Sequence, residues 1–449
     1  MCLVKKGVHS NMNKIFKVVW SKTKECYVVV SEVAKNNGGK KKALASVLAG
    51  LAMLAAGQAN AAVTEYGLGA SATGVDATAY GSNAKATKQS TVAVGDSAQA
   101  TADYAVAMGK SATASNTKTT AIGNGAVASG ANATVVGSIS QGTGSGATAI
   151  GTNNKAAYEG TAVGLSNTVT GDTSTAIGRS NTVAGGSSFA AGVRSEARGN
   201  RNVAIGNQAI SQRDDSIAIG SEVNALSGHN IAIGSGGTTA QSGDPTTGGL
   251  TSVGIAIGLN ARAVAATATD YDLIAIGNST QATANGAVAI GTLTKATGNN
   301  AYAMGNQANA SGSGSVALGQ VSTADAHGAL AIGNGTNANG VGATSIGRTS
   351  KASKDGAVAI GFNAEATGDG AIAIGGDGKG AAFDSTNTTF AGLGEKTTAS
   401  AKNAVALGHQ ATASIEGGVA LGSESVTTTA AGIKGYNPAD SRTNKYSDQ

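Results

Sequence analysis

A glycine recurs about every fourteen residues over most of this 449-residue chain, and no other feature constrains the fold as strongly. The series has 25 members, from Gly67 to Gly422. Of its 24 intervals, twenty are 14 residues long, one is 13, two are 19 and one is 24. Each member is called a repeat glycine below, and positions are numbered from it. A register kept over this length indicates a repeat architecture in which each unit packs on its neighbours.

Within each repeat the side chains alternate with a period of two. The residue before the repeat glycine, position −1, is apolar in all 25 repeats, and position −2 is alanine in 21 of them. Small residues return at positions +3 and +5, as Ala98 and Ala100 do after Gly95. Alternation over four or five residues, with Gly, Asn, Asp and Ser between, predicts two short strands joined by tight turns.

A single repeat of this kind buries almost nothing, so we predict that the repeats stack as coils of an all-β, single-stranded parallel β-solenoid. A helical alternative is disfavoured, because one glycine per repeat costs a helix about 1 kcal/mol each time. We expect the position −1 column to lie inside the coil and the alanine column to face away from it and pack against sister chains. The −1 column includes Ile122, Ile205, Ile290, Ile360 and Leu407.

Composition excludes several other classes of protein. Only 13% of the residues are charged and 3% are aromatic, and the chain has 68 glycines but 2 prolines, which fits neither a collagen nor an ordinary globular core. The net charge of +5 arises in residues 1–61, which hold ten lysines and two acidic residues. We therefore expect no nucleic-acid partner. Both cysteines, Cys2 and Cys26, lie in the same segment, so no disulfide is expected beyond it.

The first 61 residues have the features of a secretory leader. An apolar run at 43–57 follows three lysines and is shorter than the roughly 20 residues of a membrane span. Small residues follow it, which predicts signal cleavage near Ala61. The basic stretch before the apolar run is unusually long and opens MNKIFKVVW at Met12, which offers a second candidate start besides Met1.

These features together resemble one family. The extended leader and repeats such as GAVAIG at 356–361 and GSVALG at 314–319 are similar to the heads of YadA-type trimeric autotransporter adhesins. The resemblance implies a left-handed β-roll, a homotrimeric head, and export to the outer membrane or surface of a Gram-negative-type bacterium. It also implies attachment to extracellular matrix proteins, host cells or other bacteria.

The resemblance divides the chain into three parts. Residues 1–61 are similar to an extended signal peptide, 62–425 to head repeats, and 426–449 to the start of a neck or connector. No sustained heptads and no anchor-like strands follow position 426. We expect the sequence to be a fragment of a longer protein, with the family's membrane anchor outside it.

No catalytic, metal or cofactor site is predicted, and we expect a protein that is not an enzyme. His229, His327 and His409 lie several coils apart and cannot share a metal ion. Three longer intervals, 235–257, 259–276 and 376–393, predict loops that leave the solenoid. Aromatic residues in or beside them, Tyr271, Phe383 and Phe390, are candidate ligand contacts, although insertions without a function remain an equal alternative.

The sequence therefore favours an adhesin head that gains avidity from many weak sites along a rod. A structural spacer without its own ligand is the alternative. An ice-binding solenoid is disfavoured, because it needs unbroken ranks of threonine and Thr78, Thr120 and Thr148 do not belong to one column that runs the whole length.

Overall fold

The computed structural model describes residues 16–21, 26–31, 63–241, 253–267, 271–376 and 396–428. The chain divides into two units, residues 1–61 and 62–449. In the first unit the strands Phe16–Ser21 and Cys26–Ser31 pair antiparallel.

The second unit is a parallel β-solenoid of about 23 coils built from two open ladders, and no helix occurs in the described part of the chain. Each coil contributes one strand to the long ladder, just before its repeat glycine, and one strand to the short ladder, just after it. Each strand pairs with the equivalent strands of the coils before and after, for example Val92–Val94 with Val106–Met108.

The long ladder comprises, in chain order, Thr64–Tyr66, Thr78–Tyr80, Val92–Val94, Val106–Met108, Thr120–Ile122, Thr134–Val136, Thr148–Thr152, Thr161–Leu165, Thr175–Arg179, Phe189–Val193, Val203–Asn207, Ile217–Ser221, Ile231–Ser235, Gly254–Leu259, Leu273–Ile276, Val288–Ile290, Tyr302–Met304, Val316–Leu318, Leu330–Ile332, Thr344–Ile346, Val358–Ile360, Ile372–Ile374, Val405–Leu407 and Val419–Leu421.

The short ladder comprises Ser71–Ala72, Lys85–Ala86, Gln99–Ala100, Thr113–Ala114, Val127–Ala128, Gln141–Gly142, Lys155–Ala156, Thr168–Val169, Thr182–Val183, Glu196–Ala197, Ile210–Ser211, Asn224–Ala225, Thr239–Gln241, Arg262–Val264, Gln281–Ala282, Lys295–Ala296, Asn309–Ala310, Thr323–Ala324, Asn337–Ala338, Lys351–Ala352, Glu365–Ala366, Thr398–Ala399 and Thr412–Ala413.

The interior of the coil is lined by small residues, and here our expectation for the −1 column was wrong. Positions −4, −2, +3 and +5 point inward, and alanine at these positions has 0% exposure in most coils, as at Ala121 and Ala204. Position −1 points outward instead. Two strands of a 14-residue coil lie too close together for a large side chain on both, so the alternation places alanine inside and isoleucine outside.

At two places where a valine enters the interior, a glycine lies against it. A Cβ added to Gly142 would lie 2.9 Å from Cγ2 of Val135, and one added to Gly160 would lie 2.9 Å from Cγ1 of Val169. Both valines are fully buried. In these two places the glycine leaves the space that the valine fills.

The repeat glycines are required by both conformation and space. Gly109 has a φ of +132°, a region that side chains rarely adopt, and a Cβ there would lie 2.6 Å from the carbonyl carbon of Gly123 in the next coil. This contact explains why the glycine repeats without a break along the ladder.

The insertion near residue 376 is longer than the sequence indicates. The strand Ile372–Ile374 pairs with Val405–Leu407, and Glu365 pairs with Thr398. These strands therefore pair with each other and not with the repeat assigned to Gly394, and 33 residues separate paired positions here. The segment before Gly394 imitates the pattern in its apolar residues but has glycine at position −2, where coils place alanine.

Candidate functional site

The outer face of the long ladder is an apolar stripe formed by positions −3 and −1. Parallel pairing in register stacks these positions into two columns, so that Ile205 lies beside Ile219 and Val203 beside Ile217. We call these two columns the apolar stripe. Threonine interrupts its −3 column in eight coils, at Thr64, Thr78 and Thr344 and in the five successive coils from Thr120 to Thr175.

The five −1 residues singled out from the sequence all lie in the apolar stripe. Ile122 is 37% and Leu407 42% exposed, whereas Ile205, Ile290 and Ile360 are half-buried by their neighbours in the same chain. A stripe that runs through every coil exceeds the few hundred Å² of contiguous apolar surface that soluble monomers usually expose. Its chemistry is that of an assembly surface.

The outer face of the short ladder has the opposite character. Its outward position, +4, is usually polar or charged, as at Lys85, Gln99 and Lys155. Since the two ladders of one coil face in opposite directions, the solenoid is amphipathic across its thickness. The short-ladder face therefore has the composition of a solvated surface, and the long-ladder face does not.

Two columns of charge run along the surface. Arg201, Asp215 and His229 follow one another in consecutive coils, with Nε of Arg201 2.5 Å from Oδ1 of Asp215 and Nε2 of His229 3.6 Å from Oδ2. The hydrogen bond from Arg201 holds the pKa of the Asp215 carboxyl below its usual value, although burial acts in the other direction.

The second column joins the base of the longest insertion to the solenoid. Glu365 lies between Lys351 and Lys396, and the Nζ atom of Lys396 is 2.5 Å from its Oε2. Burial raises the pKa of the Glu365 carboxyl, but the two ammonium groups lower it further, so the pKa lies below its usual value. The ion pair between Lys396 and Glu365 fixes the point where the chain returns to the short ladder.

The candidate ligand residues are not brought together within the described residues. Tyr271 is 43% exposed at the end of a connection, where its backbone N–H donates to Oδ1 of Asn285. Phe383, Phe390 and the cleavage position Ala61 lie outside the described residues. The three histidines lie in separate coils, and the described residues contain no group of His, Cys, Asp or Glu that could hold a metal ion.

Sequence analysis missed a buried polar column in the middle of the solenoid. Asn154, Asn167 and Asn181 occupy position +3 in successive coils and are fully buried. Each accepts a hydrogen bond at Oδ1 from the backbone N–H of the next coil, and each Nδ2 donates to backbone carbonyls. The signal was available as asparagine repeated in three successive coils at a position where many other coils have alanine.

Comparison with known families agrees with this architecture. Residues 12–59 match the extended signal peptide of type V secretion systems. The YadA head domain repeat matches nine segments that together cover half of the chain, at 86–112, 114–138, 157–181, 203–222, 274–294, 296–322, 324–350, 352–377 and 399–425.

A search of curated proteins finds no match to the chain. None of the described residues form a helix long and apolar enough to cross a membrane. From its leader, its repeats and the geometry of its coils, the chain belongs to the YadA head-domain family of trimeric autotransporter adhesins.

Proposed function

We propose that this chain is the non-enzymatic head of a cell-surface adhesin, which assembles as a homotrimer along the apolar stripe. The observation that carries the proposal is the contrast between the two outer faces. Position −1 on the long-ladder face is apolar in every described coil, whereas position +4 on the short-ladder face is usually polar or charged.

The area of the apolar stripe is large enough for a stable contact. With strands about 4.8 Å apart, 24 strands give a stripe about 110 Å long, and a width of roughly 10 Å gives on the order of 1,100 Å² per chain. Stable interfaces bury about 800 Å² per partner. Two further copies of the chain, packed around an axis parallel to the solenoid, would cover the stripe of each copy.

The surfaces of the described coils that remain exposed are the outer face of the short ladder and the turns. In a homotrimer each of them occurs three times, so a weak contact with a matrix protein, a host cell or another bacterium is multiplied without a deep pocket. Adhesion of this kind needs no catalytic group and no cofactor.

Light scattering on the protein from residue 62 tests the assembly. The expected mass is three times that of one chain, and a mass of one chain would contradict the proposal. Adhesion is tested separately by binding of the trimer to immobilised extracellular matrix proteins and to cultured host cells. Saturable binding to any of them supports the adhesin, whereas a trimer that binds none of them favours the spacer.

A further inference from the structure

One coil of the apolar stripe differs in shape from all the others. In the described chain, position −1 carries a large side chain in every long-ladder strand except one, where it is Ala191. Two residues earlier, at position −3, the same strand carries Phe189, the only phenylalanine of the stripe. Both side chains point to the same outer face, so a projection and a hollow lie next to each other.

The neighbouring coils show how local this shape is. In register, Phe189 lies between Thr175 and Val203, and Ala191 lies between Ile177 and Ile205. The projection therefore rises above smaller residues in its column, and the hollow lies below two isoleucines in the other. Phe189 is half-buried by its own chain and leaves part of its ring available.

A stripe made of near-identical coils leaves the axial alignment of two copies poorly defined. A slip by one coil, about 4.8 Å, would match almost the same apolar residues again. A regular stripe can therefore hold two copies together without fixing their axial alignment. A coil of different shape is needed to fix it.

We propose that Phe189 and Ala191 fix the axial register between copies of this chain, with Phe189 of one copy seated in the hollow at Ala191 of the next. The inference rests on the homotrimer proposed above. Rotation about a common axis places equal residue numbers at equal heights, and the −3 column of each copy then faces the −1 column of its neighbour. At a slip of one coil, Phe189 would meet Ile177 or Ile205 and the hollow would stay empty.

Three variants test this pairing by trimer melting temperature. Ala191→Ile fills the hollow while Phe189 still projects, so the melting temperature should fall by several degrees. Phe189→Val in combination with Ala191→Ile makes the coil like its neighbours and should recover most of that loss. Ile205→Ala, one coil further on, creates a hollow with no projection beside it. It controls for the loss of apolar contact alone.

Register itself is read by cross-linking, since the protein from residue 62 has no cysteine of its own. Two preparations, Ile217→Cys in the −3 column and Ile233→Cys in the −1 column of the next coil, are unfolded together, refolded and oxidised. The parent sequence should give few mixed cross-links, because the two positions differ in height by one coil. The double variant at 189 and 191 should give several-fold more of them.

The outcomes separate the two proposals. If Ala191→Ile leaves the melting temperature unchanged, or the double variant keeps the parent's cross-linking pattern, Phe189 and Ala191 do not set the register although the trimer stands. A single-chain mass for the parent would overturn the homotrimer and the register pairing together.

Discussion

Residues 77–137 and residues 151–235 each form several coils of the same kind, but the side chains that fill the interior differ between the two ranges. The first range, the alanine-cored section, has alanine at nearly every inward position. The second, the polar-cored section, carries buried asparagine or serine at most inward turn positions, with Gly160, Ala209 and Val223 as exceptions. The long-ladder strands have three residues in the alanine-cored section and five in the polar-cored section.

The hydrogen bonds explain why the strands differ in length. In the alanine-cored section the backbone N–H at position +3 bonds within its own coil, as Ala112 does to the carbonyl of Gly109 at 3.2 Å. In the polar-cored section the same N–H bonds to the preceding coil, as Asn167 does to Oδ1 of Asn154 at 2.9 Å. The repeat glycine is thereby released from a turn and joins the ladder, as Gly164 pairs with Gly178.

At the opposite turn, buried serines also accept hydrogen bonds from the backbone N–H of the next coil. The N–H of Ser188 donates to Oγ of Ser174, and the N–H of Asn202 donates to Oγ of Ser188. Buried side chains thus connect successive coils at both turns of the polar-cored section. Because these bonds cross between coils, we expect this section to open locally less often than the alanine-cored section.

The largest expected effect is common to both sections. Gly109→Ala and Gly178→Ala each place a Cβ against the carbonyl of the next coil at an unfavourable φ, and each should cost about 4 kcal/mol of unfolding free energy. Gly125→Ala is the control, because its φ is +63° but no atom lies within 4 Å of the added Cβ. It should cost about 1 kcal/mol. Chemical denaturation measures all three, and equal costs would show that the close approach is not the reason for glycine.

The next largest effect is expected when one asparagine is placed in the alanine-cored section. Ala112→Asn puts a larger polar side chain between Ala98 and Ala126, with no asparagine in either neighbouring coil, and should cost about 3 kcal/mol. Denaturation with hydrogen exchange at this coil provides the measurement. If the unfolding free energy stays the same or rises, the distinction between the two sections is contradicted, because a single coil could then hold a buried asparagine without asparagine in the neighbouring coils.

The reverse change should cost less. Asn167→Ala removes the side-chain bonds to Val163 and Gly178, but the freed N–H of Asn181 can bond within its own coil, as it does where alanine lines the interior. We expect a loss of about 2 kcal/mol and faster exchange at the adjoining coils. Asn224→Ala, on the outer face, is the matched control and should change the unfolding free energy by less than about 0.5 kcal/mol.

The smallest effect concerns the charges on the polar-cored section. The pKa of Asp215 is lower in the folded chain than its ordinary value of 3.8, because Arg201 donates to its carboxylate. The associated stability is therefore present above pH 4 and is lost as the pH falls through the folded pKa. Asp215→Asn should flatten this part of a melting-temperature profile between pH 5 and 2. An unchanged profile would show that the exposed pair contributes nothing.

Periodicity predicted the strands, their parallel stacking and the coil length, because a fixed interval with alternating residues leaves few other folds. It did not predict which face is inside. Alternation shows that Ala204 and Ile205 lie on opposite faces of the strand. Hydrophobicity alone would place isoleucine in the core. The space between the two ladders is too narrow for it, so alanine lies inside and isoleucine outside. The false repeat at Gly394 failed for a related reason, since apolar spacing was counted without requiring alanine at position −2.

The central claim is that alanine lies inside each chain and isoleucine between chains. Rates of thiol labelling across a protein concentration series test it with Ala204→Cys, Ile205→Cys and the exposed Lys155→Cys. We predict slow labelling of Ala204→Cys at every concentration, fast labelling of Lys155→Cys, and a rate for Ile205→Cys that falls as the chains assemble. If Ile205→Cys labels as fast as Lys155→Cys at every concentration, or Ala204→Cys labels fast at any, the claim is contradicted.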